Sequence, residues 1–263
     1  MQKNITPFPL RRPGLSSTAT LRRVEPTCSK CNSAKDCLLE VVEPALRDEL
    51  SQQIIAASSV KKDGYLYHQG DDMAGIHLLR AGAVKSYLNN ESGDEQVVAF
   101  HFPGDVLGFD GLVDGRYKTT AIALETVSVC FIPYAQLTSF AGSSPQFWLA
   151  LMQGAGRRIV EADRLALVLG QQSARCRLAN FLINLSERFA ARGCSPTAFN
   201  LPMGRRDIAN YIAVADETLS RLLGEMQRLG AIIVERRLIR ICGWKILKAM
   251  TIEGLPHAMG SPA

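Results

Sequence analysis

The spacing of hydrophobic positions changes twice along this chain, and each change marks a different kind of structure. From Val60 to about Tyr134 apolar residues fall in short runs, such as Ile76-His77-Leu78-Leu79 and Gln96-Val97-Val98-Ala99-Phe100. Turns separate them at Asp63-Gly64, Gly70-Asp71, Ala81-Gly82, Ser92-Gly93-Asp94, Pro103-Gly104-Asp105 and Asp114-Gly115. Short strands spaced by about 8–12 residues, with turn signals between them, predict an antiparallel sandwich or jelly roll. From Pro145 to about Leu169 the spacing turns helical. Met152, Ala155, Ile159, Ala162, Ala166 and Leu169 recur at intervals of 3, 4, 3, 4 and 3, which is an a/d seam. One reading packs this helix on its own sheet. The other, favoured by a narrow stripe flanked by Arg157, Arg158, Glu161, Asp163 and Arg164, pairs it with a second copy of itself.

The last third is helical again. A helix over about Ala174 to Arg192 ends at Gly193, a good C-terminal cap, and turns Leu178, Phe181, Leu182, Leu185 and Phe189 toward a small C-terminal core. Two more helices follow, about Arg205 to Ile212 and Asp216 to Leu229, joined by Ala213-Val214-Ala215 with Val214 as a buried pin. The first buries Ile208, Ala209 and Ile212. The second buries Leu219, Leu222, Leu223 and Met226, stops at Gly230, and exposes Glu217, Thr218, Ser220 and Arg221 in its first turn. In a helix-turn-helix the N-terminal residues of the second helix enter the major groove. Arginine can bind guanine with two hydrogen bonds, glutamate can accept from cytosine, and serine can reach several base edges. An ordinary helical hairpin with a solvated face is the alternative. Ala231 to Ile241 then predicts a two-stranded wing with Arg236 and Arg237 at its turn.

Charge and composition sharpen this picture. The net charge of +5 and a pI near 8.9 are compatible with nucleic acid. Between Leu201 and Lys248 nine Lys/Arg face five Asp/Glu, a local balance of +4, which makes phosphate contacts plausible from Arg205, Arg206, Arg236 and Arg237. No apolar run is long enough for a membrane span. Basic residues near the start are not followed by an apolar stretch, so no secretory signal and a cytoplasmic location are expected. Catalytic signatures such as G-x-S-x-G, a P-loop or H-E-x-x-H are missing, so an enzyme is not expected. The domain plan is a mobile tail over 1–27, a sensor over 28–145, a dimerisation helix over 146–170, a DNA-binding domain over 171–250 and a tail over 251–263. A short helix is placed around Pro44 to Ala57.

The cysteines carry the remaining chemistry. Cys28, Cys31 and Cys37 stand in C-S-K-C-N-S-A-K-D-C, and Cys130 closes the alternating run A-I-A-L-E-T-V-S-V-C. Three ligands in a loop and one distant ligand is a common way to hold an iron–sulfur cluster. Structural zinc fits the first pair only, and a bare thiol or disulfide sensor is the other alternative. Cys176, Cys194 and Cys242 are scattered singly, and His68, His77, His101 and His257 are isolated; all are expected to be packing or surface residues.

The order of these parts resembles the cyclic-AMP receptor protein superfamily of transcription factors, and within it the fumarate-and-nitrate-reduction (FNR) type of regulator. The resemblance covers about residues 28–250. It rests on C-x2-C-x5-C at Cys28, Cys31 and Cys37, on the A-L-E-T run ending in Cys130 to Pro133, on Glu217, Ser220 and Arg221, on Gly93 to Gln96 and on Asn184 to Phe189. It implies an α+β chain with a β jelly-roll sensor of cyclic-nucleotide-binding type, a long dimerisation helix and a C-terminal winged helix-turn-helix. It implies that Cys28, Cys31, Cys37 and Cys130 bind a [4Fe–4S] cluster when oxygen is scarce, and that the cluster-bearing homodimer binds a palindrome with TTGAT half-sites. Arg221 would meet the guanine, Glu217 its paired cytosine and Ser220 a thymine, with phosphates held by Arg205, Arg206, Thr218, Arg236 and Arg237. RNA polymerase would be the second protein partner. An iron–sulfur electron carrier is the reading from another class, and it leaves the second helix without a purpose.

Three departures from the family pattern follow. Nucleotide-binding relatives hold the phosphate with a glutamate and an Arg-Ser pair, where this chain has Gly108-Phe109-Asp110 and Tyr117-Lys118-Thr119-Thr120; cyclic AMP is therefore not expected as effector. The turn often has glycine where this chain has Ala213, which is acceptable if the backbone avoids positive φ. Relatives can carry an acidic residue where this chain has Ala162, so its oxygen-dependent change to monomer should be weaker.

Overall fold

The structure, a computed structural model, describes residues 37–40, 42, 43, 47, 55–90, 92–171 and 173–252. The predicted tails, apart from Thr251 and Ile252, lie outside these residues, as do Cys28, Cys31, His257 and most of the helix expected over 44–57.

Eight short strands form the N-terminal unit: β1 (Ile55–Val60), β2 (Tyr65–Tyr67), β3 (Gly75–Ala81), β4 (Val84–Asn89), β5 (Glu95–His101), β6 (Val106–Leu107), β7 (Thr120–Ala123) and β8 (Val127–Pro133). They build two antiparallel sheets, β1-β8-β3-β6 and β2-β7-β4-β5, as the turn spacing predicts. One boundary is corrected. Ile55 to Ala57, expected at the end of a helix, belong to β1, because Ile55 pairs with Phe131 and Ser58 with Val129 of β8. Pairing with a strand some 70 residues away overrides the weak local helical preference.

Alternation along β8 decides what each face touches. Val127 and Val129 enter the interior of the roll with Leu79 and Val84. Cys130 and Ile132 point the other way, into a cluster with Ile76, Leu78, Phe147 and Leu151. Register places Cys130 opposite Leu78 and Ile132 opposite Ile76. Two helices cover this outer face: α1 (Tyr134–Ser143), which the sequence reading passed over, and the long α2 (Pro145–Gln171).

The C-terminal unit contains α3 (Ala174–Ala191), β9 (Ala198–Asn200), α4 (Arg205–Tyr211), α5 (Asp216–Arg228), β10 (Ile232–Glu235), β11 (Leu238–Ile241) and α6 (Trp244–Ala249). The wing gains β9 as a third strand, in the order β10-β11-β9. Three of these helices end in the same way. After α3, Cys194 N–H donates to Phe189 and Gly193 N–H to Ala190; after α4, Val214 donates to Ala209 and Ala213 to Asn210; after α5, Ala231 donates to Met226 and Gly230 to Gln227. This paired pattern satisfies orphan carbonyls and needs a left-handed residue just past the helix. Gly193 and Gly230 supply it with φ of 73° each, but after α4 it is Ala213, with φ of 52°. The condition under which alanine would sit there without strain is therefore not met: the cap geometry imposes positive φ on a residue with a Cβ. Arg177 helps to hold the turn, its Nη1 donating to the carbonyls of Ile212 and Ala213 at 2.9 and 3.1 Å.

The C-terminal core is not separate from the roll. Phe181, Leu178 and Ile208 share one buried cluster with Val97, Phe100 and Phe102 of the roll. Polar contacts reinforce the junction. Asp105, in the turn after β5, binds Arg188 and Arg192 of the α3 end. Asn210 of α4 caps the free edge of β5: its Oδ1 accepts from Val97 N–H at 2.6 Å and its Nδ2 donates to Glu95 O at 2.7 Å. Lys85 and Asp207 add an ion pair of 2.7 Å.

Candidate nucleic-acid interface and cysteine site

The reading head is built by burial on one side of α5. Leu219, Leu222, Leu223 and Met226 are buried, which turns Glu217, Ser220 and Arg221 outward, all three exposed. They lie at i, i+3 and i+4, so one helical face carries an acceptor, a hydroxyl and a guanidinium within one turn. Thr218 is half-buried rather than exposed. Val214 is likewise half-buried and packs on the core as the pin of the turn. Arg175 of α3 bonds Glu225 of α5 at 2.5 Å, fixing the helix from behind.

Exposed arginines stand on the neighbouring elements, α4 and the wing. Arg205 and Arg206 stand exposed in the first turn of α4. The helix start is capped by Asp207, whose Oδ2 accepts from Gly204 N–H. Arg236 and Arg237 form the two-residue turn of the wing, both exposed, with Arg236 at φ 56°. Exposed guanidinium groups of this kind suit phosphate oxygens.

The second site is on the outer face of the roll. Cys130 is 9% exposed, and Cys37, half-buried, packs against the same apolar cluster as Cys130, Leu38, Leu39 and Val42. The fold thus sets against one apolar cluster the two cysteines of the predicted four that lie among the described residues. No group of three His, Cys, Asp or Glu side chains forms a metal site among those residues. The remaining pair, Cys28 and Cys31, precedes Cys37 in sequence. Two soft thiol donors in an apolar setting suit an iron–sulfur cluster of four cysteines. The same apolar cluster contains Phe147, Ala150 and Leu151 of α2.

The seam on α2 is open in the single chain. Met152, Ile159, Ala162 and Ala166 are exposed, Ile159 at 62%, while Ala155 and Leu169 are half-buried. Val160 and Leu167 add apolar surface beside them, at 49% and 54%. Among the other residues considered, Cys176 is buried in α3 and donates its N–H to the Ser173 cap, while Cys194 and Cys242 are exposed. His101 is buried against Ser86, Nε2 to Oγ 2.8 Å. His77 lies between the tilted rings of Tyr67 and Phe131, and burial pushes its imidazole pKa down to about 4. Both are packing residues. No described helix is long and apolar enough to cross a membrane.

Comparison with known proteins agrees with this layout. Residues 57–144 match the cyclic nucleotide-binding domain, and residues 176–250 match the Crp-like helix-turn-helix domain. The chain is 37% identical over 214 residues to the fumarate and nitrate reduction regulatory protein of Vibrio cholerae, covering 81% of this chain and 86% of that one. It is 36% identical over 214 residues to the anaerobic regulatory protein of Aggregatibacter actinomycetemcomitans, covering 81% and 83%. Among solved structures it resembles FixK2 from Bradyrhizobium japonicum, with a TM-score of 0.68, 28% identity, and coverage of 76% and 98%. The first two relatives are named as regulatory proteins, and the chain belongs to the Crp/FNR family of transcription regulators.

Proposed function

We propose that the chain is an oxygen-responsive transcription regulator of anaerobic metabolism. In this reading it holds a [4Fe–4S] cluster through Cys28, Cys31, Cys37 and Cys130, dimerises along α2 and reads a TTGAT-type palindrome. The observation that carries it is the shared cluster in which Cys37 and Cys130 pack with Phe147 and Leu151 of α2. When bound, the cluster supplies four iron–thiolate bonds that tie the N-terminal cysteine loop to β8 and that oxygen destroys. The protein residues then do the mechanical work. Cys37 draws Leu38, Leu39 and Val42 onto the outer face of the roll, beside the start of α2. That contact steadies α2, whose exposed Met152, Ile159, Ala162 and Ala166 meet the same residues of a second copy. Dimerisation sets the two reading heads at half-site spacing, which for two-fold symmetric readers is about one turn of DNA.

On each half-site Arg221 binds the guanine, Glu217 its paired cytosine and Ser220 a thymine edge. Arg205, Arg206, Thr218, Arg236 and Arg237 hold phosphates, and RNA polymerase engages the bound dimer. Loosening α2 by a few kcal/mol is enough to empty the operator, since reversing a population from 1:99 to 99:1 takes about 5.5 kcal/mol. The test is DNA binding by the anaerobically reconstituted protein before and after air. Binding that is lost in air in the wild type, and missing throughout in Cys37→Ala and Cys130→Ala, supports the reading. Air-insensitive binding that survives both substitutions refutes it.

A further inference from the structure

One carboxylate inside the sensor is engaged as though it were a bound ligand. Oδ2 of Asp110, in the 3-10 turn Phe109–Val113, accepts from Lys118 N–H at 3.0 Å, from Thr119 N–H at 2.8 Å and from the Thr119 hydroxyl at 2.8 Å. Two successive backbone N–H groups and a hydroxyl converging on one oxygen make an anion nest. The segment around it is closed at its other end as well. The Tyr117 hydroxyl donates to Gly75 O at 2.7 Å and accepts from Gly75 N–H at 3.3 Å. Gly108, with φ of 93°, lets the chain turn where a Cβ would come within 3.1 Å of both Gly75 O and the Tyr117 ring. These stretches, 108–110 and 117–120, lie within the part of the chain that matches the cyclic nucleotide-binding domain. Here they close on one another.

The next residue along makes this more than local bracing. Phe109 packs against the cluster that contains Cys37 and Cys130, and its ring lies over Gly154 of α2, where a Cβ would meet Phe109 Cζ at 3.2 Å. We propose that Lys118-Thr119 is an oxyanion nest whose ligand is built into the chain. The Asp110 carboxylate occupies the place of a free carboxylate or phosphate and so holds Phe109 as a positioning residue between the cysteine site and α2. The domain therefore needs no diffusible anion to reach its ordered form. The second half of this inference, the link to α2, rests on the proposed function; the nest itself does not.

Chemical rescue tests it on the full chain. Asp110→Gly vacates the nest and opens room for formate, the smallest carboxylate. The cluster-free variant should melt several degrees below wild type in chloride, and formate at equal ionic strength should recover much of that loss saturably. Wild type and Asp110→Asn, whose nests stay filled, should show no formate-specific shift. Asp110→Ser, too short to reach both N–H groups, must give the same rescue, and if neither variant folds in chloride the refolding yield in formate is the readout. A missing formate effect in these variants overturns the nest, and because this arm uses neither cluster nor DNA, its failure is separate from any failure of oxygen sensing. For the positioning role, reconstituted Asp110→Gly should bind operator DNA about tenfold more weakly in chloride and recover in formate. Rescue of melting with DNA binding equal to wild type throughout would overturn that role.

Discussion

Replacing Asp105 should loosen the C-terminal unit from the roll by an amount that can be worked out from its partners. Its carboxylate accepts from Arg188, from Arg192 at 2.9 Å and from Phe102 N–H at 2.9 Å. Charge-assisted bonds contribute about 1.5–3 kcal/mol each and the backbone bond about 1 kcal/mol when buried. The three side chains are 17–21% exposed, which lowers the electrostatic part. Both guanidinium groups also keep carbonyl partners, Arg188 on Phe100 and Arg192 on Pro103. After these discounts Asp105→Ala should cost about 2–3 kcal/mol. In a chain of this size that lowers the melting temperature by about 5–10 °C. Asp105→Asn keeps an acceptor for Phe102 and one arginine, so it should lose about half as much. Calorimetry and urea unfolding on the cluster-free protein give both values. A change within about 0.5 kcal/mol for Asp105→Ala would refute the claim that this carboxylate fastens the two units.

Other consequences are equally direct. Arg221→Ala should cost about 1–3 kcal/mol of operator affinity and relax preference at one base pair, whereas Arg236→Ala should weaken all sequences alike and lower the salt slope by about 1, both readable by anisotropy titrations. Ala213→Gly removes a Cβ from a left-handed residue and should raise stability by up to about 1 kcal/mol in urea unfolding. The half-buried His77 has a folded pKa near 4 against 6.5 when exposed, so the unfolded chain binds the extra proton. Its contribution is complete above about pH 6.5 and is lost as pH falls toward 4, and His77→Phe should flatten that part of the stability curve by as much as about 3 kcal/mol. Ala162→Asp places like charges across the α2 seam and should shift the dimer toward monomer in sedimentation at micromolar concentration, with no shift if this face does not pair.

Legibility followed the range of the forces involved. The recognition helix could be read because Leu219, Leu222, Leu223 and Met226 repeat on a helical face and Gly230 stops it. The roll could be read because glycine marks its turns. Features that depend on distant partners were hidden. β1 exists through pairing with β8, and β9 is three residues that gain strand character only beside β11. Ala213 is left-handed because the helix cap demands it, although its side chain argues otherwise. The bond of Asn210 to the β5 edge joins residues more than 110 positions apart, and nothing local marks Asn210 for that role. In sequence the stretch Gly108-Phe109-Asp110 shows only that the expected phosphate partners are missing, whereas its contacts make Asp110 an internal acceptor. For the cysteines, spacing suggested four ligands, while the sheet register explains why Cys130, and not its neighbour Val129, faces outward.

The central claim is that four cysteines couple an oxygen-labile cluster to operator binding. The most direct measurement is an anaerobic reconstitution followed by iron and sulfide counts, the visible spectrum and operator titration, repeated on the same sample after air. The account predicts about four irons per chain, broad visible absorbance, tight operator binding, and loss of both colour and binding on exposure to air. A colourless, iron-free chain that binds operator equally well with and without oxygen would contradict it.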